Sequence, residues 1–511
     1  MNTTIVLLAV LVLMLLGSRL FVVMGLATLL CFSVILGEGL ELDKLVRLVN
    51  KMEGLTTKNV FLSIPLFVGA GTIMTRGGMA KRLIAVVRMV VGQISGGLAI
   101  AAVISSMIFA AISGSSPVTL VAVGAILYPA LVESKYPRSE SMGLLMTAGS
   151  LGCLLPPSIA MLIYAICVSG SATVDPSDLF IAGGVPAFAI AGLLCVYAFF
   201  VGRRHPESRL NDGVTASALF AAVKEAGFAF LLPVIVVGGI YTGQFTPTEA
   251  GAVALGYAVI VCVLVHRELT WAGVLDAFSE SAVLIGSLIL IVVLAFGLND
   301  FLAEIEAAER MGDWLRTAGL SPLMFFVVVN VALIFIGALM DSVSATLVFA
   351  PLLAPIAIDV YGIDPVHFGV VFVVNMEIGY LMPPVATNLF VGAAIFKRPF
   401  GEVSRAVLPT LGIVCAALMM LILVPTLSTG VLNLRANRPV WQPFPWDGKA
   451  VAAAPTPMPV IPAGDGDGDA PAPAKKMMTM EEMMKAANES MKNDAAPPPS
   501  EPAPPEPAPT P

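Results

Sequence analysis

The sequence predicts an all-α polytopic membrane protein built from two inverted repeats, each holding a re-entrant hairpin and a broken helix. Three observations carry this. Hydrophobic residues make up 57% of the 511 positions and charged residues only 12%, with a mean hydropathy of +0.91. A water-soluble chain of that length could not cover its surface with so few charges, so the surface must face lipid. Apolar runs recur along most of the chain; at roughly 20 residues per crossing they supply about eleven or twelve crossings or hairpin arms. Finally, the chain repeats itself: Pro129 pairs with Pro355, Gly152 with Gly379 and Pro156-Pro157 with Pro383-Pro384, at separations of 226 to 227 residues.

Residues 1–60 read as scaffold helices and an amphipathic arm. The run Thr3–Leu16 lacks the basic leader of a secretory signal and is followed at once by Leu20–Leu36, so it reads as a retained helix. Asp43–Lys58 carries four basic residues, with Leu42, Leu45, Val46 and Val49 on one face, as an interfacial helix would. Residues 61–177 hold the first hairpin, 97–132, and the first broken helix, 141–170. Met89–Glu133 contains no Lys or Arg beyond its flanks; Arg76, Lys81, Arg82 and Arg88 precede it or open it, and Lys135 and Arg138 follow. Both ends therefore lie on the cytoplasmic side, and the arms turn back at Ser113-Gly114-Ser115-Ser116 instead of crossing.

Residues 178–280 supply further scaffold helices and a second arm over Glu268–Glu280, which the repeat offset places opposite the first. Thr246-Pro247-Thr248-Glu249 reads as a capping box with Pro at the first helical position. Residues 281–400 hold the second hairpin, 322–360, which breaks at Met340-Asp341-Ser342, and the second broken helix, 365–396. Tyr361-Gly362-Ile363-Asp364 has no basic residue, so this hairpin opens on the other side. Residues 401–430 form a terminal helix. Residues 431–511 are rich in Pro, Ala and Asp and cannot bury enough apolar area to order themselves. Within them Met477–Lys492 has the pattern of a short amphipathic helix. Counting crossings places both termini outside, on the face opposite the cytoplasm.

The six cysteines are scattered without metal-ligand spacing. No basic patch interleaved with aromatics points to nucleic acid. The three histidines lack partners at metal spacing, and Gly114-Ser115-Ser116 has neither a preceding strand nor an adjacent base, so no enzyme site is expected.

Polar, irregular segments inside otherwise apolar stretches occur at the two hairpin tips and the two Pro-Pro breaks. Unsatisfied backbone at membrane depth costs several kcal/mol per group, so such breaks persist only where protein, water or an ion meets them. Carbonyls at a half-helix C-terminus suit a hard cation such as sodium; N–H groups at an N-terminus suit a carboxylate. One candidate site combines Ser113, Gly114, Ser115 and Ser116 with Gly152–Pro157, including Leu155 and Pro156. The other combines Gly337, Asp341, Ser342 and Ser344 with Gly379–Thr387, including Met382. Each serine is either a ligand or a helix cap. Asp341 is either an ion ligand or the cap of the second half-helix. Glu377 binds a proton, orients Asn375 or supports the break. No Lys or Arg lies between Thr317 and Phe396, so an anion there needs cations or helix N-termini to balance it.

These motifs resemble the large membrane subunit of tripartite ATP-independent periplasmic (TRAP) transporters. The matching residues include Ile64-Pro65-Leu66-Phe67, Ser113-Gly114-Ser115-Ser116-Pro117, Leu155-Pro156-Pro157-Ser158-Ile159, Thr246-Pro247-Thr248-Glu249-Ala250, Asp364-Pro365-Val366-His367-Phe368-Gly369 and Asn375-Met376-Glu377-Ile378-Gly379, and the likeness spans roughly residues 1–430. The resemblance implies an elevator-type symporter of sodium and small organic anions, most similar to members handling C4-dicarboxylates. Its implied partners are a small four-helix membrane subunit and a periplasmic substrate-binding protein; no cofactor is implied beyond sodium as the coupling ion. It implies sodium ligands at Ser113, Gly114, Ser115, Gly152 and Leu155, and at Gly337, Asp341, Ser342, Gly379 and Met382. Substrate would meet Ser115, Ser116, Thr119, Pro156, Ser344, Thr387 and Asn388, with Glu377 and Asn375 behind them. One departure stands out: the family commonly has Gly after Pro-Pro-Val in the second break, and this chain has Ala386. A stand-alone sodium–anion symporter, a channel and a membrane-embedded enzyme are the rival readings.

Overall fold

The computed structural model describes residues 20–31, 59–169, 172–209, 215–383 and 386–442. These belong to one unit, Met1–Thr456; the other, Pro457–Pro511, lies outside the described residues. So do the run Thr3–Leu16, the arm Asp43–Lys58 and the tail beyond Gln442.

The described residues fold as helices, with no strand among them. In order they are α1 (Leu20–Leu30), α2 (Asn59–Arg76), α3 (Met79–Val91), α4 (Gly97–Ser113), α5 (Ser116–Glu133), α6 (Arg138–Ser150), α7 (Ile159–Val168), α8 (Pro176–Arg204) and α9 (Ala216–Tyr241). Next come α10 (Pro247–Val259), α11 (Trp271–Glu304), α12 (Ala307–Thr317), α13 (Pro322–Leu339), α14 (Ser342–Pro355), α15 (Pro365–Tyr380), α16 (Thr387–Phe396), α17 (Phe400–Leu423) and α18 (Thr426–Arg435). Eight helical segments among the described residues are long and apolar enough to cross a membrane. With no strand and these spans, the chain is an all-α multi-pass membrane protein.

Local chemistry sets many of the starts. Asp175, Thr215, Thr246, Thr270 and Ser321 accept a backbone N–H from the first turn of the helix they precede, satisfying a donor that would otherwise be unpaired. Proline follows the cap in α8, α10 and α13, where its missing N–H costs nothing. At Thr246 the capping box is complete.

The two halves present the same order of elements. At the repeat offset α1 aligns with α10, α2 with the later part of α11, α3 with α12, the pair α4–α5 with α13–α14, and α6–α7 with α15–α16. Contacts are exchanged between halves in matching pairs: α1 packs on α11 as α10 packs on α2, and α5 packs on α16 as α14 packs on α7. Reciprocal contacts of this kind are what two-fold related units make.

Two expectations need correcting. The second arm over Glu268–Glu280 is not a separate surface helix: from Trp271 it runs on into the next span as the 34-residue α11. No proline interrupts that segment, and Ser281 bonds both Ala277 O (2.8 Å) and Thr72 Oγ1 (3.2 Å), tying the join to α2. The tail expected from 431 also begins too early. Helix α18 continues to Arg435 with Ser428, Thr429 and Asn433 buried. Ser428 Oγ lies 2.7 Å from His367 Nδ1, and Thr429 Oγ1 donates to Gln442 Oε1 at 2.8 Å.

Candidate functional site

The first tip forms where α4 ends. Gly114 takes a left-handed conformation (φ 60°), and its N–H closes the helix onto Ala110 O. A Cβ there would sit 1.9 Å from Pro157 O, and one on Gly152 would sit 3.0 Å from the Ser115 carbonyl. Only bare glycine backbone lets the tip and the break of α6–α7 approach this closely. Ser113 and Thr119 share a hydrogen bond (2.8 Å), and the Thr119 hydroxyl donates to Ser115 O (2.9 Å). Ser115 occupies the N-cap of α5, yet its side chain makes no capping bond. In the break Gly152, Leu155 and Pro156 are buried, and Ser158 caps α7 through Met161 N–H.

In the second half Gly337 and Gly379 face each other; a Cβ on Gly379 would lie 2.5 Å from Gly337 Cα. The Ala386 N–H donates to Ala338 O (3.2 Å), joining the break of α15–α16 to the hairpin. Asp341 fills the capping role: its carboxylate accepts the Ser344 N–H (3.1 Å) and the Ser344 hydroxyl (2.6 Å). Ser342 N–H donates to the Tyr380 hydroxyl at 2.8 Å. Met382 and Thr387 are half-buried, on either side of the break.

The two half-sites meet. Asn388 Nδ2, on α16, donates to Ser116 Oγ, on α5, at 2.6 Å, and both residues are wholly buried. Glu377 lies against Ser116 and Cys153 of the first half, and Cys153 reaches Ser342 of the second. Asn375 is turned elsewhere, donating to Asn330 Oδ1. Asn375 Oδ1 and Asn388 Oδ1 are buried without a hydrogen-bond partner among the described residues, and the buried Glu377 carboxylate has the Ser116 hydroxyl and the Cys153 thiol beside it. The two amide oxygens are acceptors, so what would complete them is a donor or a cation. The ends of α5 and α16 share a further property: neither Ser115 nor Ala386 caps its helix with a side chain, whereas Ser158 and Asp341 cap α7 and α14.

The family model described as "Tripartite ATP-independent periplasmic transporter, DctM component" matches residues 7–427. The chain belongs to this family.

The permease is 39% identical over 383 residues to the C4-dicarboxylate TRAP transporter large permease protein DctM of Rhodobacter capsulatus, covering 73% of this chain and 87% of that protein. It is likewise 39% identical over 409 residues to the protein of the same name from Pseudomonas aeruginosa, covering 80% and 92%. Among solved structures the YdaH transporter of Alcanivorax borkumensis shares the fold, with a TM-score of 0.56 at 16% identity over 79% of this chain and 91% of that one. The permease is thus a TRAP-type solute transporter and not an enzyme.

Sequence reading had named both members of the Ser116–Asn388 pair without joining them. It held Cys153 and Tyr380 inside the break ranges Gly152–Pro157 and Gly379–Thr387 without giving either a part, and it did not single out Asn330. Cys153 and Tyr380 lie directly at the two breaks, and that adjacency was the signal available. Asn330, in the middle of an arm, gave none except being polar in an apolar run.

Proposed function

We propose that this permease imports small dianions of the C4-dicarboxylate type by symport with sodium across the bacterial inner membrane. The observation that carries the reading is the meeting of two side-chain-uncapped helix N-termini, those of α5 and α16, at the Ser116–Asn388 bond. N-terminal N–H groups and the positive end of the helix dipole favour carboxylates. No Lys or Arg lies in 139–202 or 318–395 to do that work instead. Sodium ions at the two tips would balance the dianion, with Ser113, Gly114, Ser115, Gly152 and Leu155 around one and Gly337, Asp341, Ser342, Gly379 and Met382 around the other. The orphaned acceptors near the centre suit cations of this kind. Substrate would lie between the tips, against Ser115, Ser116, Thr119, Pro156, Ser344, Thr387 and Asn388. The relatives named for C4-dicarboxylates support the substrate class.

In this reading the hairpins and broken helices move as an elevator against a scaffold of the remaining helices. The two halves are inverted across the membrane, and both termini are periplasmic. A small four-helix membrane subunit completes the membrane part, and a periplasmic binding protein delivers the substrate. Sodium and substrate bound side by side couple because each lowers the electrostatic cost of the other. The test is uptake in proteoliposomes with the partner proteins. Ser115→Ala and Ser344→Ala are expected to lower sodium-dependent succinate uptake about tenfold each, the loss of one contact worth ~1.4 kcal/mol. Unchanged sodium dependence in both folded variants would remove these site assignments.

A further inference from the structure

A proline inside a helix removes the N–H that the carbonyl four residues earlier would accept. Helix α14 carries Pro351 in its interior, so the Leu347 carbonyl has no α-helical donor. Leu347 is 1% exposed, and water cannot supply one. The donor comes from another helix. Asn299 Nδ2, on α11, donates to Leu347 O at 2.9 Å, across the packed pair α11 and α14. A carbonyl only accepts, which fixes the amide with its nitrogen toward α14. The other end of the amide is idle: Asn299 Oδ1 is buried with no partner among the described residues. A polar side chain following the apolar run 288–298 is costly to keep, and the bond to Leu347 O is what it makes.

The two halves differ here. At the repeat offset of 226 to 227, Pro351 falls on Gly124 or Ala125, and Asn299 on Thr72 or Ile73. Thr72 turns back on its own helix, donating to Val68 O at 2.9 Å. The first half therefore lacks both the freed carbonyl and the amide, and the second half has both. Their joint presence in one half marks them as a matched pair. The pair also acts on the helix that carries the second tip, since α14 opens with Asp341 as its cap and Ser342 and Ser344 in its first turn.

We propose that Asn299 is a positioning residue of the transport cycle, a latch that holds the second hairpin against α11 through the carbonyl that Pro351 leaves free. This rests on the transport reading above, in which the hairpins move against the remaining helices, α11 among them. When the hairpin leaves α11, the Leu347 carbonyl is stranded among apolar groups. The latch therefore favours the docked conformation about tenfold in population, the worth of one stranded buried acceptor.

The test is fluorine NMR on the full-length permease in detergent, with trifluoromethyl-phenylalanine in place of Phe296. That residue lies one turn before Asn299 on the same face of α11, so its signal differs between docked and displaced hairpin. Asn299→Leu is expected to raise the displaced resonance about tenfold relative to the docked one. Pro351→Ala returns a helical N–H to Leu347, so adding Asn299→Leu to it is expected to move the ratio about threefold or less. A merely structural Asn299 would lower the unfolding midpoint and leave the ratio alone. An unchanged ratio in Asn299→Leu, or the same shift in both backgrounds, would overturn the latch. If two resonances appear but ignore Asn299, the latch falls and the moving hairpin stands. A single resonance in all four proteins, with sodium-dependent uptake intact, would mean that the hairpin never leaves α11, and the latch and the elevator would fall together.

Discussion

Ala386 is the residue where sequence and backbone disagree most sharply. It starts α16 with φ 39° and ψ 78°, in left-handed space, while its side chain is wholly buried. An L-residue with a Cβ pays about 1–2 kcal/mol for that conformation, a cost that glycine avoids. Ala386→Gly removes the strain but adds about 0.5–1 kcal/mol of backbone entropy cost. The net expectation is a gain of about 0–1.5 kcal/mol, read as an unfolding midpoint in detergent that is unchanged or higher. A lower midpoint would mean that the methyl group contributes packing which outweighs the strain. At this scale the sequence was only partly legible. Asp341 could be named as ligand or cap, and only coordinates show its carboxylate occupied by Ser344. Cys153 looks like any apolar filler until it is seen between Glu377 and Ser342. Its neighbours come from the other half of the chain, and no spacing encodes them.

Elements were more legible, because the residues that interrupt helices do so for local reasons. Glycine at Gly114, serine at Ser158 and proline after Asp364 stop or start helices with their own backbone preferences, whatever surrounds them. The Thr246 capping box is the fullest case: Thr246 N–H reaches Glu249 Oε2 at 2.8 Å and Glu249 N–H reaches Thr246 Oγ1 at 3.3 Å. Thr246→Ala is therefore expected to cost about 1 kcal/mol, measured as unfolding free energy in detergent, with sodium-dependent uptake unchanged. A loss of uptake without a loss of stability would give this motif a functional part that its geometry does not suggest. The element that was misread, the arm joined into α11, failed for the opposite reason. The repeat offset places an independent surface helix at Glu268–Glu280, and the missing break between it and the next span is a negative signal that is easy to overlook.

At the scale of the molecule, the repeat supplied what local patterns could not. It gave the order of elements, and the exchanged packing of α5 on α16 and of α14 on α7 makes each half complete the other. The Ser116–Asn388 bond is where this interlock becomes a single polar contact, buried on both sides and 2.6 Å long. If it joins the halves, each partner depends on the other. Ser116→Ala strands the Asn388 amide, and Asn388→Ala strands the Ser116 hydroxyl, each at about 1–3 kcal/mol. The double variant leaves neither group behind. Its cost should therefore fall short of the sum of the single costs by about 1 kcal/mol or more. Unfolding free energies of the four proteins in one detergent measure this directly. Strict additivity would show that the two side chains are neighbours without being partners, and the halves would then be joined here by the packing of α5 on α16 and of α14 on α7.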